Sequence, residues 1–303
     1  TNAWTATENV TIRFDDGATI RTETASVAAV DFIATGDRRF RLSFEGATID
    51  GVAMTVDYTD RNIGLVINAV SADPLIFGPN YSLAGNSFRF DTGFNNALLI
   101  NQGSVTVTGA GEGGVFLSRN DAVFRNEGTM TASEGGVLGL VATGDDVAFI
   151  NTGTLRATSG GRIDVEGVFD NSAAGAVIDL VDGELRLTNT TITPTRLGTI
   201  TRAADTTVAL QLFRPTVLDL EGATISIDDT FAGPLEWRGG EIRNGTLLLD
   251  AAGPSGGLIV PPSGSLGFRR GLTDTDLIVP AGGLTFDALA NISFDNARFF
   301  GPD

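Results

Sequence analysis

Leu99-Ile-Asn-Gln-Gly-Ser-Val-Thr-Val107, Phe124-Arg-Asn-Glu-Gly-Thr-Met-Thr-Ala132 and Phe149-Ile-Asn-Thr-Gly-Thr-Leu-Arg-Ala157 are one phrase written three times. Asn101, Asn126 and Asn151 stand 25 residues apart, and so do Gly103, Gly128 and Gly153. A fixed period of ~20–50 residues marks stacked units, each of which buries its apolar side only when the next covers it. Within a copy, apolar and hydroxyl residues alternate, so Val105 and Val107 point one way while Ser104, Thr106 and Thr108 point the other. The inward pairs become Val/Val, Met/Ala and Leu/Ala from copy to copy. If coils stack at the interstrand spacing of ~4.8 Å, like side chains lie over like. The asparagine column is then expected to hydrogen-bond amide to amide at a corner, where Asn tolerates left-handed backbone.

Outward from this stretch, each phrase is followed by a Gly-Gly step, at Gly113-Gly114, Gly135-Gly136 and Gly160-Gly161. A second apolar run comes next (Val115 to Leu117, Val137 to Val141, Ile163 to Val165), then a third (Val123-Phe124, Val147 to Ile150, Val168-Phe169). Three short strands joined by sharp corners make one coil of a triangular solenoid. Phe169-Asp-Asn171 opens a fourth, looser turn through Ile178 and Leu180 to Leu185 and Leu187. Residues 96–190 therefore read as regular β-helix coils.

Residues 1–95 alternate with period two (Val10, Ile12, Phe14; Phe40, Leu42, Phe44; Met54, Val56, Tyr58) and read as irregular early coils, with a separate β cap as the other possibility. Gly-Ala-Thr-Ile recurs at Gly17, Gly46 and Gly222, each time after an acidic residue, which is turn chemistry. Residues 191–303 read as less regular coils: Leu218 to Leu220, Ile225-Ser-Ile227, Leu235 to Trp237, Leu247 to Leu249, Leu277 to Val279 and Ile292 to Phe294 recur between Gly, Pro, Asp and Asn separators. Ala203 to Phe213 could hold a turn of helix, although Val208, Leu210 and Leu212 alternate like a strand. At ~25 residues and ~4.8 Å per coil, the whole chain would make about 12 coils and a rod of roughly 58 Å.

The chain has 303 residues, 39 of them Gly, and no Cys and no His. No disulfide, thiolate metal site or thiol nucleophile is available, and neither are Ser-His-Asp catalysis or imidazole ligands. A formal charge of −17 opposes binding to nucleic acid and to anionic membrane surfaces. No apolar run approaches the ~20 residues that span a bilayer, so membrane insertion is not expected. All twenty basic residues are Arg, which fits a GC-rich genome, a salty habitat or selection against proteolysis and amine chemistry. Beginning at Thr1 without a leader pattern, the chain reads as a mature or excised piece.

Asn151-Thr-Gly-Thr-Leu, Gly160-Gly-Arg-Ile, Val168-Phe-Asp-Asn171 and Trp237-Arg-Gly-Gly-Glu-Ile-Arg-Asn-Gly-Thr-Leu247 resemble the right-handed β-helix repeats of bacterial surface proteins. Autotransporter passenger domains and filamentous-haemagglutinin-like adhesins are the families in view, over about residues 99–187 and 235–249. The resemblance implies an all-β, right-handed parallel β-helix that works as a stalk or adhesive rod, secreted to the cell surface. Two family features are lacking: a membrane-barrel pattern after Phe299-Phe-Gly-Pro-Asp303, and an Asn-Pro-Asn-type secretion motif.

Candidate chemistry is confined to carboxylates. Asp15-Asp16, Asp145-Asp146 and Asp228-Asp229 are the pairs a polysaccharide-cleaving β-helix would need, but each is expected at a turn, where successive side chains diverge. Asp37 with Arg38-Arg39 is the nearest lyase-like cluster and reads as a solvated loop. Calcium has hard oxygen ligands available, yet no EF-hand loop or calcium-binding nonapeptide appears. Gly111-Glu-Gly-Gly is a corner rather than a phosphate loop. The outward Ser/Thr column at 104–108, 129–133 and 154–158 suggests a flat hydroxyl array such as an ice- or carbohydrate-binding solenoid uses, interrupted by Arg156. Asn9, Asn80, Asn189, Asn244 and Asn291 head Asn-x-Ser/Thr sequons, about as many as chance supplies in a Thr-rich chain. No catalytic, cofactor-binding or metal-binding residue is assigned.

A solenoid exposes unpaired strand edges at its ends. With no capping helix evident, the ends are expected to meet flanking coils or neighbouring subunits stacked head to tail. The sequence thus reads as a non-enzymatic extracellular structural or adhesive rod, with a filament subunit as one form of it and surface glycans as possible partners. A carbohydrate-active β-helix using Asp pairs, and a carbohydrate- or ice-binding face, are the alternatives.

Overall fold

The computed structural model describes residues 2–6, 10–14, 18–21, 28–34, 40–44, 46–56, 65–109, 111–144, 146–203, 210–213, 215–249, 258–260, 270–279 and 292–301, with side chains of residues 2–40 and 210 excepted. The chain is a parallel β-solenoid with about 60% strand and about 25 residues per turn. Three faces recur in each turn. Nine strands from Asn2–Ala6 to Thr199–Arg202 build the first face. Eleven strands from Val10–Phe14 to Leu258–Ile259 build the second. Seven strands from Ala18–Arg21 to Phe169–Asp170 build the third. The solenoid makes about eight turns, fewer than the twelve coils expected for the whole chain.

A fourth sheet begins at Thr191–Ile192 and runs through Val217–Asp219, Gly240–Leu248, Arg270–Ile278 and Ile292–Asp295. In it, one nine-residue strand replaces two: Gly240–Leu248 pairs with Val217–Asp219 through its first half and with Thr224–Ser226 through its second. Positive φ at Asn244 (57°) and Asp274 (48°) bends these long strands in the middle, so a corner survives inside a continuous strand.

The registers are those that the repeat dictates. Val105, Met130, Leu155, Ile178 and Ile200 stand one over another on the first face, all inward and buried. The Gly-Ala-Thr-Ile copies at Gly17 and Gly46 stack as well, with Ala18 opposite Ala47 and Ile20 opposite Ile49. On the third face Phe124 and Phe149 stack at 5.4 Å, and Phe149 and Phe169 at 5.9 Å. Each buried aliphatic or aromatic side chain contributes ~1.5–3 kcal/mol, so a continuous bore supplies the stability that a chain without cross-links needs.

Four sequence expectations need correction. Gly113-Gly114 is not a corner: it lies within the strand Glu112–Leu117, with Gly114 opposite Gly139. The repeating corner glycines are Gly111, Gly136 and Gly161, whose ladder bonds Val137 N–H to Gly111 O (3.1 Å) and Arg162 N–H to Gly136 O (2.9 Å) keep the 25-residue step. Secondly, the ladder asparagines are not in left-handed backbone. That conformation falls to Asn96, Asp121 and Asp146 (φ 59°, 57°, 53°) and to the turn pairs Glu134-Gly135 and Ser159-Gly160. The latter two are type I′ turns, closed by Gly136 N–H to Ser133 O (2.8 Å) and Gly161 N–H to Thr158 O (2.9 Å). Thirdly, Ile227 is not in a strand but opens a short helix, Ile227–Phe231, which places Asp228-Asp229 in its first turn. Ser226 caps that helix, accepting from Asp229 N–H at 3.0 Å, and Ile227 and Phe231 anchor it in the core. Fourthly, a helical turn Pro194–Leu197, capped by Thr193, fills the corner after Ile192 where a strand-only reading had nothing. Most of the ambiguous stretch from Ala203 lies outside the described residues, and its end forms the strand Leu210–Leu212.

Candidate functional site

The most ordered polar feature is internal. Asn101, Asn126, Asn151 and Asn171 each end a third-face strand or follow it, and all four are at most 1% exposed. Asn101 Nδ2 donates to Asn126 Oδ1 (2.8 Å), Asn126 to Asn151 (2.7 Å) and Asn151 to Asn171 (2.6 Å). Asn171 Nδ2 closes the ladder on Leu197 O at 2.8 Å, so the helical turn Pro194–Leu197 supplies the terminal acceptor. At the other end Asn101 Oδ1 is buried without a partner, because the row above puts Phe77 in that column. Asn126, Asn151 and Asn171 are each donor to one row and acceptor from the other, which removes the cost of burying them. The expected asparagine column is present, and Asn171 extends it by one row.

The outward hydroxyl array covers only a few rows. Ser104 lies beside Thr129 and Thr129 beside Thr154, while Thr106 lies beside Thr131. The next positions are Arg156 and Asp179, joined at 3.4 Å, with Thr201 Oγ1 donating to Asp179 at 3.0 Å. Beyond the two rows at 104–106 and 129–131, the lattice gives way to ion pairing.

Among the described residues the carboxylate candidates form no cluster of three. Asp146 occupies a left-handed corner and Asp228-Asp229 a helix start. Asp15-Asp16, Asp145, and Asp37 with Arg38-Arg39 lie outside the described residues. Several other outward carboxylates are tied to guanidinium groups, as in Arg89–Asp91 (2.6 Å), Arg162–Asp164 (2.8 Å) and Arg243–Asp219 (2.9 Å). Burial alone would raise the Asp219 carboxyl; the Glu221 N–H, Arg243 and Asn244 outweigh it and hold it below its ordinary value. Arg186 and Arg238 both lie over the Phe213 ring, 4.7 and 5.5 Å from its centre.

Sequence reasoning missed what the sequon asparagines do. Asn80, Asn189 and Asn244 each donate a side-chain amide proton to a carboxylate one row away: Asp50 (3.4 Å), Glu166 (3.3 Å) and Asp219 (3.2 Å). The signal was their spacing from an acidic residue, near one coil period. Asn9 and Asn291 lie outside the described residues.

Among the described residues, two concavities lie on the fourth sheet. A cleft of about 380 Å³ is lined by Thr216, Glu241, Arg270, Thr273 and Ser293. Its guanidinium, 1% exposed, is turned into the protein, with Nε donating to Trp237 O at 2.6 Å. A groove of about 350 Å³ beside Asp274 and Asp276 is occupied by their own partners, Asn296 (2.7 Å) and the two-pronged Arg298 (2.8 and 2.7 Å). Among the described residues no group of three acidic side chains could hold a metal ion, and no helix is long and apolar enough to cross a membrane.

The fold and these sites define a parallel β-solenoid repeat protein. No protein-family model, no curated protein and no solved structure matches the chain.

Proposed function

We propose that this chain is a non-enzymatic structural or adhesive rod at the exterior of a bacterial cell, of the kind its repeats resemble. The observation that supports this reading is the axial amide ladder from Asn101 to Asn171 running beside the stacked Phe124, Phe149 and Phe169. Both features tie each coil to the next along the long axis, which is the direction in which a stalk transmits load. The outward side chains are engaged with one another in Arg–carboxylate pairs, which suits a solvated shaft. The acidic surface suits contact with neutral glycans better than with phosphate-rich partners.

Purified chain incubated with a panel of plant, bacterial and animal polysaccharides tests this reading, with reducing-end release and unsaturated-product absorbance as readouts. The expected result is no turnover. Cleavage that is lost in Asp228→Asn or Asp229→Asn would replace the rod by a carbohydrate-active enzyme. Ice recrystallisation inhibition that disappears in Thr131→Tyr would favour the hydroxyl face instead.

A further inference from the structure

The ties between coils are not equal along the axis. Among the described residues, successive rows from Asn2–Ala6 to Gly240–Leu248 are laddered on all three faces except at two steps. The third face stops at Phe169–Asp170, and Thr191–Ile192 starts the fourth sheet without pairing to it. The first face stops at Thr199–Arg202, which Thr224–Ser226 does not continue. Both gaps flank one row, made of Glu184–Thr188, Thr191–Ile192 and Thr199–Arg202. The second face alone runs unbroken past it, with Leu187 paired to Leu212 and Leu212 to Trp237.

A short helix occupies each gap. Pro194–Leu197 packs against Phe169–Asp170, and Ile227–Phe231 against Thr199–Arg202. In place of a strand ladder, the first gap is bridged at Asn171, whose N–H donates to Arg196 O (2.7 Å) and whose Nδ2 donates to Leu197 O (2.8 Å). At the corner before it, Gly167 N–H donates to Asn189 O (3.2 Å) and Thr190 Oγ1 to Gly167 O (2.6 Å). The second gap is spanned by Arg202, whose Nη2 donates to Pro234 O at 3.1 Å. Burial draws the pKa of that guanidinium down to about 10, so its desolvation costs stability in the same row. The amide ladder ends on Leu197 O, and the stack of Phe124, Phe149 and Phe169 ends one row earlier. Neither ties this row to the next.

In a stack whose units touch only their neighbours, the weakest interface decouples what lies on its two sides. We infer that the row at 184–202 is a break-away joint, beyond which the strands from Val217–Asp219 onward open as a unit while those up to Val177–Leu180 stay folded. A rod built this way yields at one place under load and keeps its fully laddered coils. That mechanical meaning rests on the rod reading above; the order of opening does not.

Hydrogen exchange of the full chain, followed by mass spectrometry at rising sub-denaturing urea, tests it. Amides of Val217–Asp219, Gly240–Leu248 and Arg270–Ile278 are expected to lose protection together. Those of Leu98–Asn101, Val123–Asn126 and Ala148–Asn151 keep theirs at the same urea concentration. Phe231→Ala, which removes a buried anchor of the second helix, speeds exchange of the far strands at least ~10-fold and leaves the near strands unchanged. Should that variant not fold, Thr193→Ala makes the same test on the order of 5-fold, because it removes only the cap on Arg196 N–H (3.2 Å). One transition across all rows, steady fraying from Phe300 inward with no step at the joint, or equal acceleration of near and far strands in Thr193→Ala would each overturn the joint. Polysaccharide turnover would instead remove the rod and leave the order of opening as it is.

Discussion

Asn126 Nδ2 donates to Asn151 Oδ1 across 2.7 Å in the solenoid interior, although the two residues are 25 positions apart in sequence. Asn126 is the middle of the ladder, since its own Oδ1 accepts from Asn101 at 2.8 Å. Asn126→Ala removes both bonds and leaves a buried donor on Asn101 and a buried acceptor on Asn151. At ~1–3 kcal/mol for each of the two stranded groups, the loss is about 2–6 kcal/mol. Urea unfolding should show it as a lower midpoint with the slope unchanged. A change under about half a kcal/mol would mean that the ladder is incidental to stability.

Asn126→Asp keeps the shape and changes the proton count. Protonated, the new carboxyl accepts from Asn101 and donates to Asn151; ionised, it is a buried charge facing Asn151 Oδ1. Burial raises its folded pKa above the unfolded value of ~3.9. A raised acid loses stability as pH climbs from the unfolded pKa to the folded one, because the unfolded chain releases its proton first. The variant should therefore be closer to wild type near pH 4 than near pH 8. A penalty that is flat with pH, measured by melting in matched buffers, would refute this.

Gly128 is required by proximity rather than by its dihedral angles. A Cβ there would lie 2.1 Å from Gly103 O, and the same approach recurs between Gly153 and Gly128 at 2.2 Å. Gly135, by contrast, has a φ of 76° and nothing within 4 Å of its missing Cβ. Gly128→Ala should cost about 3 kcal/mol or more, since two backbones must separate. Gly135→Ala should cost roughly 1–2 kcal/mol, the strain of a left-handed alanine. Equal costs in parallel urea titrations would mean that the stack at Gly103, Gly128 and Gly153 yields more easily than its spacing implies.

The part of the fold visible in the sequence is the part where like stacks on like. The phrase at Asn101, Asn126 and Asn151 gave the coil length, the inward faces and the amide column, because each depends on a residue type that returns at one period. Asn171 continues the ladder only 20 residues after Asn151, since the corner between is shorter, and a fixed step passes over it. The Gly-Gly doublets misled in one row because Gly113-Gly114 serves close packing within a strand: a Cβ on Gly114 would lie 1.9 Å from Gly139 O. Composition does not distinguish that use of glycine from a turn. Similarly, Ile225-Ser-Ile227 alternates like a strand, while Ser226 and Asp229 make a helix cap that a period-two reading overlooks. The candidate carboxylates were legible as turn residues at Asp146, and the fourth-sheet cleft around Arg270 left no local signal because its walls come from four separate rows.

Phe149 lies between Phe124 and Phe169, at 5.4 and 5.9 Å, and is 1% exposed. Phe149→Ala should cost about 3–5 kcal/mol, from lost transfer energy and the cavity left in the bore. Coils contact only their neighbours, so the loss should be local. Hydrogen exchange should quicken in the rows at 124–126, 148–151 and 169–171 before it does so near Ile242. Uniform loss of protection would show that the solenoid unfolds as a single cooperative unit.

Asp219 supplies a pH dependence of known sign. Its carboxylate accepts from Glu221 N–H (3.1 Å), Arg243 Nε (2.9 Å) and Asn244 Nδ2 (3.2 Å). Burial works against the charge, and these three donors together more than offset it, so the folded pKa lies below the ordinary value of 3.8. For a depressed acid, the stabilisation is full above the unfolded pKa and is lost as pH falls through the folded one. Arg243→Gln removes the ion pair and lets the carboxyl titrate closer to its ordinary value. The Arg243 side chain is 37% exposed, so solvent screening limits the pair to roughly 0.5–1 kcal/mol. The gap between wild type and variant should be present at pH 7 and shrink below about pH 4, in urea titrations at both values. A gap that is unchanged or wider in acid would mean that Arg243 acts by packing its stem against the sheet rather than by its charge.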